Sequence, residues 1–365
     1  MLVRGLAKKG YDWWWHSFTG RHEKTGEERA FFIEFFTVNP ALMEDEPVFG
    51  QLPKNKILGK RPSYLMVKAG TWGTEHAQLH RFFSLKDVKI HGKAPYYVKV
   101  EDCYCSDNVL KGSVAISEEE AAAHPEWMCD SGEMKWSLTL DKNVAFNVGY
   151  GTSPVLRFLE AFEMYWHAEG MKTYYSGTVE FNGEKYIVEP EFSYGYADKN
   201  WGRGFTTPWV WLSSNALTSN ISGKVLDDSV FDIGGGKPKI FFLPLNRKLL
   251  SAFWYEGTPY EFNFSKFWTL TRTKFDFTED ENKVYWYVRQ ETTKAVMETN
   301  ISCKKEDMLK VNYEAPDGSK RHNNLWNGGN GVGNVRLYEK RRGRLELVDD
   351  VHATHVGCEY GEYDK

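Results

Sequence analysis

The chain has 365 residues, of which 41% are hydrophobic and 26% charged, a composition typical of a folded protein with room for two hydrophobic cores. With 46 basic and 50 acidic residues the net charge is −4, and the two signs are mixed along the sequence. The sequence therefore has no polybasic face of the kind that would predict nucleic-acid binding. No run approaches the roughly 18 apolar residues of a membrane span, and the N-terminal segment lacks the apolar core of a signal peptide. We expect a cytoplasmic protein without an integral membrane segment and with at most peripheral lipid contact.

Cysteines and histidines give no metal pattern. The five cysteines are an odd number without C-x-x-C spacing, which favours reduced thiols over disulfides or a zinc site. His76 and His80 have a spacing that suits a metal only on a helix, but their segment has the composition of a strand. His352 and His355 would lie on opposite faces of a strand. We predict neither a metal nor a cofactor.

Aromatic content indicates β-structure. The 14 Trp, 20 Tyr and 23 Phe make up 16% of the chain, and such side chains fit the half-buried faces of sheets. Seven short runs have the alternation or composition of strands: 30–38, 63–69, 96–102, 135–140, 178–188, 284–290 and 310–313.

Turn signals separate these runs. An Asn-Gly pair at 182–183 is typical of a tight hairpin, and two further turns are predicted at 279–282 and 316–318. Two short helices are predicted: one at 117–123, which begins with a capping-box pattern, and one at 154–162, which begins with proline.

Successive hairpins with few helical crossovers predict an all-β protein built from antiparallel barrels or sandwiches. From length alone we expect two β domains, at 1–190 and 191–365. The glycine-rich runs 234–236 and 329–333 lack the sequence context of a P-loop or a dinucleotide site, so we predict turns there.

The stretch most informative about function is 193–217, SYGYADKNWGRGFTTPWVWLSSNAL. Around Asp198 it has four aromatic residues, namely Tyr196, Trp201, Trp209 and Trp211. A carboxyl among such side chains loses solvation, so its pKa rises and it can keep a proton to donate. The aromatic faces would stabilise a carbocation formed by that donation. Alternatively, Asp198 pairs with Lys199 or caps the glycine turn.

Other candidates for the same site are polar residues near tryptophans. Asn200 has the parity of Asp198 in an extended strand and could bind Asp198 or a substrate oxygen, although it could equally satisfy backbone groups in a turn. Asn215 has the parity of the W-x-W strand and could be a polar anchor in an aromatic wall. Three substrate-binding candidates lie in the first half, namely Trp15, His16 and His167. Most histidines of this kind are satisfied core or rim residues.

The sequence DKNWG at 198–202, followed by Phe205, a W-x-W strand and Asn215, resembles the signature of the tocopherol cyclase family. The opening WWWHSFTG with AFFIEFF, and the closing segment from GVGNVRLYEK to GCEYGEY, are also similar to that family, so the resemblance covers most of the chain. More distantly, the chain is similar to carotenoid 1,2-hydratases and to lipocalin-like enzymes that include fungal Diels–Alderases. Arg203 and Thr206 stand where that family more usually has a small residue and proline, which leaves the substrate open.

The resemblance implies paired lipocalin-like barrels, a hydrophobic prenyl or polyene ligand, and an acid that protonates an alkene without a cofactor. Two function classes follow. The first is an isomerase that cyclises its substrate, or a hydratase, with Asp198 as proton donor and Asn200 beside it. The second is a non-catalytic, lipocalin-like carrier in which the same residues are structural.

Overall fold

The computed structural model describes residues 9–93, 95–146, 154–241, 243–246, 248–319 and 321–362. Almost all regular structure is antiparallel strand, so the all-β prediction is confirmed. Each of the seven predicted runs falls on or overlaps a strand. Helices are few and short: α1 (Pro53–Ile57), α2 (Glu118–Ala123) and α3 (Pro154–Phe158), with 3-10 turns at Pro40–Leu42, Pro125–Trp127, Pro190–Phe192, Phe267–Thr269 and Lys305–Asp307.

The first sheet has twelve strands that curve round one apolar core. They are β1 (Tyr11–His22), β2 (Glu28–Val38), β3 (Tyr64–Thr71), β4 (Ala77–Phe83), β5 (Lys89–His91), β6 (Tyr97–Val100), β7 (Cys103–Ser106), β8 (Val109–Ile116), β9 (Gly132–Val144), β10 (Met164–Phe181), β11 (Glu184–Val188) and β12 (Gly195–Gly202). Their order is β4-β3-β2-β1-β11-β10-β9-β8-β7-β6-β5, and β12 pairs with both β1 and β10.

The second sheet has eleven strands round another core. In chain order the remaining strands are β13 (Trp209–Ser214), β14 (Ala216–Ser219), β15 (Val230–Gly236), β16 (Lys239–Ile240), β17 (Leu243–Pro244), β18 (Lys248–Tyr255), β19 (Thr258–Asn263), β20 (Arg272–Glu279), β21 (Lys283–Glu291), β22 (Ala295–Lys304), β23 (Leu309–Glu314), β24 (Arg321–Arg341) and β25 (Arg344–Glu362). The order is β19-β18-β15-β13-β25-β24-β22-β21-β20, with β14 on β25 and β23 on β24, while β16 and β17 form a separate pair.

Local turn and cap chemistry behaves as predicted in several places. Asn182 and Gly183 have φ values of 49° and 83° and join β10 to β11, because both can adopt the left-handed conformations of a tight turn. The turn at 279–282 joins β20 to β21. Helix α2 begins with a complete capping box between Ser117 and Glu120. Helix α3 ends earlier than predicted, since Phe162 already pairs with Ile240 in a β-bridge.

The prediction of turns at the two glycine-rich runs is wrong. Gly234 to Gly236 end β15, and 329–333 lie within β24. A methyl group added at Gly329 would lie 2.2 Å from the ring of Trp72, and one at Gly234 would lie 3.2 Å from the ring of Trp166. These glycines leave room for tryptophans of the opposite sheet, a use of glycine that strands allow where another group approaches closely.

The chain passes from the first sheet to the second between Gly202 and Trp209. Strand β12 belongs to the first sheet, so the stretch 193–217 supplies the last strand of one sheet and the first strand of the other. The division into domains at residues 190 and 191 stays a prediction. Within the described residues no helix is long and apolar enough to cross a membrane.

A third apolar cluster lies between the sheets and is called here the aromatic centre. Strand alternation creates it, because Trp13 and Trp15 of β1 face the centre while Trp14 faces the first core. In β13, Trp209 and Trp211 face the centre, while Val210 and Leu212 face the second core. Its main aromatic members are Tyr11, Trp13, Trp15, Phe32, Phe36, Trp72, Trp166, Tyr196, Phe205, Trp209, Trp211 and Tyr313.

Candidate active site

Strand β12 points three polar side chains into the aromatic centre. Tyr196, Asp198 and Asn200 alternate with residues that face the other way, and all three are buried. Asp198 is opposite Trp15 on β1, and Asn200 is opposite Trp13. The common parity predicted for Asp198 and Asn200 is therefore observed.

The Asp198 carboxyl is desolvated and only half satisfied. Its Oδ2 accepts hydrogen bonds from Trp166 Nε1 at 2.8 Å and from the Tyr196 hydroxyl at 3.1 Å. Its Oδ1 has no hydrogen-bond partner within the described part of the chain. Burial raises the pKa of Asp198 well above its usual value, and the two hydrogen bonds oppose this rise only in part. Burial in the site thus favours the protonated form of Asp198, and its Oδ1 lacks a partner among the residues described.

A second aspartate shares this environment from the opposite sheet. Asp232 of β15 is fully buried, and its Oδ1 accepts from Trp211 Nε1 at 3.1 Å. Its Oδ2 lies 3.1 Å from the Tyr196 hydroxyl, the same distance as Asp198 Oδ2. Burial, and next the charge of Asp198, raise the pKa of Asp232 well above its usual value. Since a phenol has one proton to donate, both short contacts are hydrogen bonds only when one of the carboxyls is protonated.

A buried ion pair lies further along the same row of strands. The register places Asp198, Trp15, Glu34 and Lys68 opposite one another on β12, β1, β2 and β3. Lys68 Nζ is 2.8 Å from Glu34 Oε2, both side chains are fully buried, and the Tyr313 hydroxyl donates to the same Glu34 oxygen at 2.8 Å. Burial lowers the pKa of Lys68 and raises that of Glu34, while their mutual attraction opposes both shifts.

Glu359 of β25 supplies another buried carboxyl. Its Oε2 accepts from Trp209 Nε1 at 2.8 Å, and its Oε1 accepts from Asn327 Nδ2 at 2.5 Å. Asn327 in turn accepts from Trp72 Nε1 at 2.7 Å, which links the two sheets. Burial raises the pKa of Glu359 to about 7. This carboxyl can therefore accept or release a proton near neutral pH.

Several polar atoms in the aromatic centre remain unsatisfied. Within the described residues, the buried atoms without a hydrogen-bond partner include Asp198 Oδ1, Asn200 Oδ1, Glu34 Oε1, Trp13 Nε1 and Trp15 Nε1. All five side chains are on the face of the first sheet that borders the second. Buried polar groups are almost always paired, so a cluster of unpaired ones indicates a place where a ligand or water binds.

Not every predicted site residue belongs to this centre. Trp15, Tyr196, Trp209 and Trp211 surround the acids as expected. Trp201 faces the other way and stacks on Tyr165 with ring centroids 5.7 Å apart. The prediction that Trp201 packs around Asp198 is therefore wrong. Side chains alternate between the two faces of a strand, and Trp201 is three residues after Asp198, so the two point to opposite faces.

The two histidines and Asn215 are also outside the centre. His16 faces the first core, where its Nδ1 is 2.8 Å from the Tyr175 hydroxyl, and burial lowers its pKa to about 3. His167 of β10 lies opposite Lys199 of β12 in the strand register, on the face of the sheet that points away from the aromatic centre. Asn215 donates to the backbone oxygens of Met171 at 3.1 Å and Gly195 at 2.9 Å, so it ties the second sheet to the first. The roles proposed for these three in substrate binding gain no support from their positions.

Lys199, which the sequence offered as a partner for Asp198, instead pairs with Asp12 on the opposite face of the sheet. Its ammonium group also lies 4.0 Å from the centroid of the Trp14 ring. Asp198 is consequently not neutralised by Lys199, its neighbour in the sequence.

Sequence reasoning missed four groups of this site. Glu34, Lys68, Asp232 and Glu359 come from four different strands. Glu34 and Glu359 lie in segments that resemble the family, but the sequence analysis assigned a role to none of the four. A usable signal was present: Glu34 is the single charge in the buried part of β2 (30–38), Lys68 is the single charge in β3, and every residue of β3 is buried. A lone charge at such a position is expensive unless it is paired or functional.

A narrow apolar slot of about 40 Å³ reaches the edge of the aromatic centre. It is lined by Trp166 and Trp209, whose indole nitrogens donate to Asp198 and Glu359. The other lining residues are Phe162, Met164, Thr206, Gly234, Gly235, Pro238, Lys248, Leu250 and Phe264. Within the described residues no group of three or more His, Cys, Asp or Glu could hold a metal ion.

Parts of the chain are similar in sequence to a known protein. A protein described as "Probable tocopherol cyclase, chloroplastic" from Oryza sativa subsp. japonica is 35% identical over 105 residues, which are 28% of this chain and 20% of the rice protein. The match therefore spans a fifth of that relative's length.

Two solved structures align along nearly the whole chain. Kievitone hydratase from Nectria haematococca has a TM-score of 0.49 at 13% identity and covers 100% of this chain and 94% of its own. A protein assigned as AttH from Nitrosomonas europaea has a TM-score of 0.46 at 12% identity, with 96% and 92% covered. A family model described as Tocopherol cyclase-like matches residues 70–362, which include β12 of the first sheet and the whole second sheet but not β1 and β2. The chain belongs to the tocopherol cyclase-like family.

Proposed function

We propose that this protein is a cofactor-independent cyclase or hydratase that protonates an alkene of a hydrophobic prenyl or polyene substrate with Asp198. The observation that carries the proposal is the environment of that carboxyl, which is buried among aromatic rings, has a raised pKa, and has one oxygen without a partner in the part of the chain that the structure describes. Family membership supports a substrate of this class.

The chemistry balances without an oxidant or reductant. The O–H bond of Asp198 breaks while the alkene electron pair forms a new C–H bond, which leaves a carbocation on the substrate and a carboxylate on Asp198. The faces of Trp15 and Trp211, which border the acid, stabilise the cation. A substrate hydroxyl then closes a ring, or water adds, and either nucleophile loses one proton. Glu359, with a pKa of about 7, is suited to accept it.

Tyr196 offers a route that restores the acid. After proton donation the phenol can pass its proton to Asp198 Oδ2 and receive one from Asp232 Oδ2, because it is 3.1 Å from both. Asp232 is then ionised and Glu359 holds the proton lost by the nucleophile, so the cycle closes when Glu359 releases a proton to solvent and Asp232 takes one up from solvent.

The competing function is that of a carrier in which Asp198 serves only the hydrogen-bond network. Incubation with a panel of prenylated quinols and polyenes in heavy water separates the two. We expect a product that is an isomer or a hydrate of one substrate, with one deuterium on the protonated carbon as located by mass spectrometry and NMR. Saturable quenching of tryptophan fluorescence by these compounds without any product would support the carrier and contradict the enzyme.

A further inference from the structure

Exposed apolar side chains gather on three neighbouring segments around the mouth of the apolar slot. Those on α3 and the turn after it are Val155, Phe158 and Leu159; those on the β16–β17 pair are Phe241 and Leu243; those after β19 are Phe267, Trp268 and Leu270. Their exposed fractions reach 86% at Phe158, 79% at Phe267 and 61% at Trp268. These eight residues are called the apolar collar. Soluble proteins rarely expose so many large apolar groups together unless the patch binds something.

The three segments are held together by a small buried cluster. Phe162 pairs with Ile240 and packs on Phe264 with ring centroids 6.0 Å apart, and Phe241 N donates to the Ala161 backbone oxygen at 2.6 Å. Phe162 and Phe264 also line the slot. The collar is consequently fixed in place round the outer end of the passage that leads towards Trp166 and Trp209.

Basic side chains accompany the collar. Lys239 is exposed on β16, and Lys237 is exposed two residues before it. Arg203 is exposed on the loop that connects the two sheets. Arg157 is half-buried on α3. Glu163, a carboxylate of this region, has its pKa raised by burial, although Lys239 and Arg203 act in the opposite direction. The collar therefore combines apolar tips with a surplus of positive charge.

We infer that the apolar collar docks this protein on a lipid surface with anionic headgroups, so that the slot opens towards the hydrocarbon. Exposed Phe, Trp and Leu tips enter the boundary between headgroups and acyl chains, and the lysines bind the negative surface. A tryptophan at the rim fits this position because its ring is apolar and its N–H is polar. The inference rests on the proposed function only in that a hydrophobic substrate enters through the slot.

Flotation with vesicles tests the docking surface without any substrate. The probes are vesicles of pure phosphatidylcholine and vesicles of equal parts phosphatidylcholine and phosphatidylglycerol. We expect the native protein to float with the mixed vesicles, to bind the neutral ones more weakly, and to lose the difference at high salt. The double variant Phe267→Ser with Trp268→Ser should bind the mixed vesicles at least about tenfold more weakly, since it removes two large apolar groups.

Two further variants make the result specific. Lys237→Glu with Lys239→Glu should remove the preference for anionic vesicles. Ile57→Ser with Leu58→Ser is the matched control, because these residues are 86% and 61% exposed but lie on and just after α1, away from the slot. The control should float like the native protein, and all variants should keep the native circular dichroism.

The outcomes distinguish this inference from the proposed function. Asp198→Asn should float like the native protein, because docking needs no proton transfer. A native protein that stays unbound with both vesicle types overturns the docking surface and leaves the catalytic proposal standing. A lipid-free dimer that Phe267→Ser with Trp268→Ser dissociates would assign the collar to a second copy of the chain and overturn the inference as well.

Discussion

Replacing Asp198 by asparagine is expected to reduce turnover by about 10²–10⁴-fold, the usual contribution of a general acid, while ligand binding stays nearly unchanged. The amide keeps the shape of the side chain and can still accept from Trp166 Nε1, which lies 2.8 Å from the carboxyl. It has no acidic proton to give to an alkene. The loss should therefore appear in kcat and not in the dissociation constant measured by tryptophan fluorescence.

Asp12→Asn is the matched control for this substitution. Asp12 is an equally buried aspartate on the neighbouring strand, but it faces the first core and pairs with Lys199. Its replacement should lower stability and leave turnover per folded molecule unaltered. If Asp198→Asn retains full turnover, the proton comes from another group, and Glu359 becomes the first alternative.

The pH dependence follows from the direction of the Asp198 shift. A proton donor acts in its acid form, so activity is present at low pH and is lost as pH rises through the pKa of the folded state. Because burial places that pKa well above the usual value, the active range extends further towards neutral pH than an exposed aspartate would allow.

Replacing Lys68 by methionine is expected to lower the free energy of unfolding by about 3–5 kcal/mol. Lys68 and Glu34 are completely buried and 2.8 Å apart, so the substitution leaves a carboxylate inside the aromatic centre without its cation. Glu34 must then take up a proton or break the surrounding packing. Urea unfolding followed by far-ultraviolet circular dichroism measures the change.

The double variant Glu34→Gln with Lys68→Met separates this charge effect from the loss of packing. It removes both charges, so most of the lost stability should return. Lys304→Met is the surface control, since Lys304 and Glu306 form a pair whose side chains are 58% and 60% exposed, and no measurable change is expected there. A single Lys68→Met variant as stable as the native protein would show that the buried pair does not contribute to the stability of the fold.

Local rules predicted much of this fold because they depend on near neighbours. The Asn-Gly pair at 182–183, the capping box at Ser117 and the aromatic strands each follow from a few adjacent residues. Strand alternation also placed Asp198 and Asn200 on one face. The same rule, applied strictly, would have excluded Trp201 from that face and would have separated His16 from Trp15.

The parts that sequence alone did not predict depend on contacts between distant strands. Asp232 approaches Asp198 only because β15 of the second sheet faces β12 of the first. Glu359 of β25 accepts from Trp209 and Asn327 of two other strands, and no local pattern connects residues so far apart. The glycine-rich runs were misassigned for the same reason, since the tryptophans that need their space lie on the opposite sheet.

The most direct measurement is the protonation state of the Asp198 carboxyl in the ligand-free protein. Infrared spectra of protein labelled with carbon-13 at the aspartate carboxyls should show a carboxylic-acid C=O band at neutral pH that shifts in heavy water. Asp198→Asn should remove the Asp198 component of this band and leave that of the protonated Asp232 carboxyl. In Asp232→Asn the Asp198 component should persist with an altered frequency, because Tyr196 has lost its contact with the Asp232 carboxyl. A spectrum in which Asp198 is fully ionised at neutral pH and titrates like an exposed aspartate would contradict its role as proton donor.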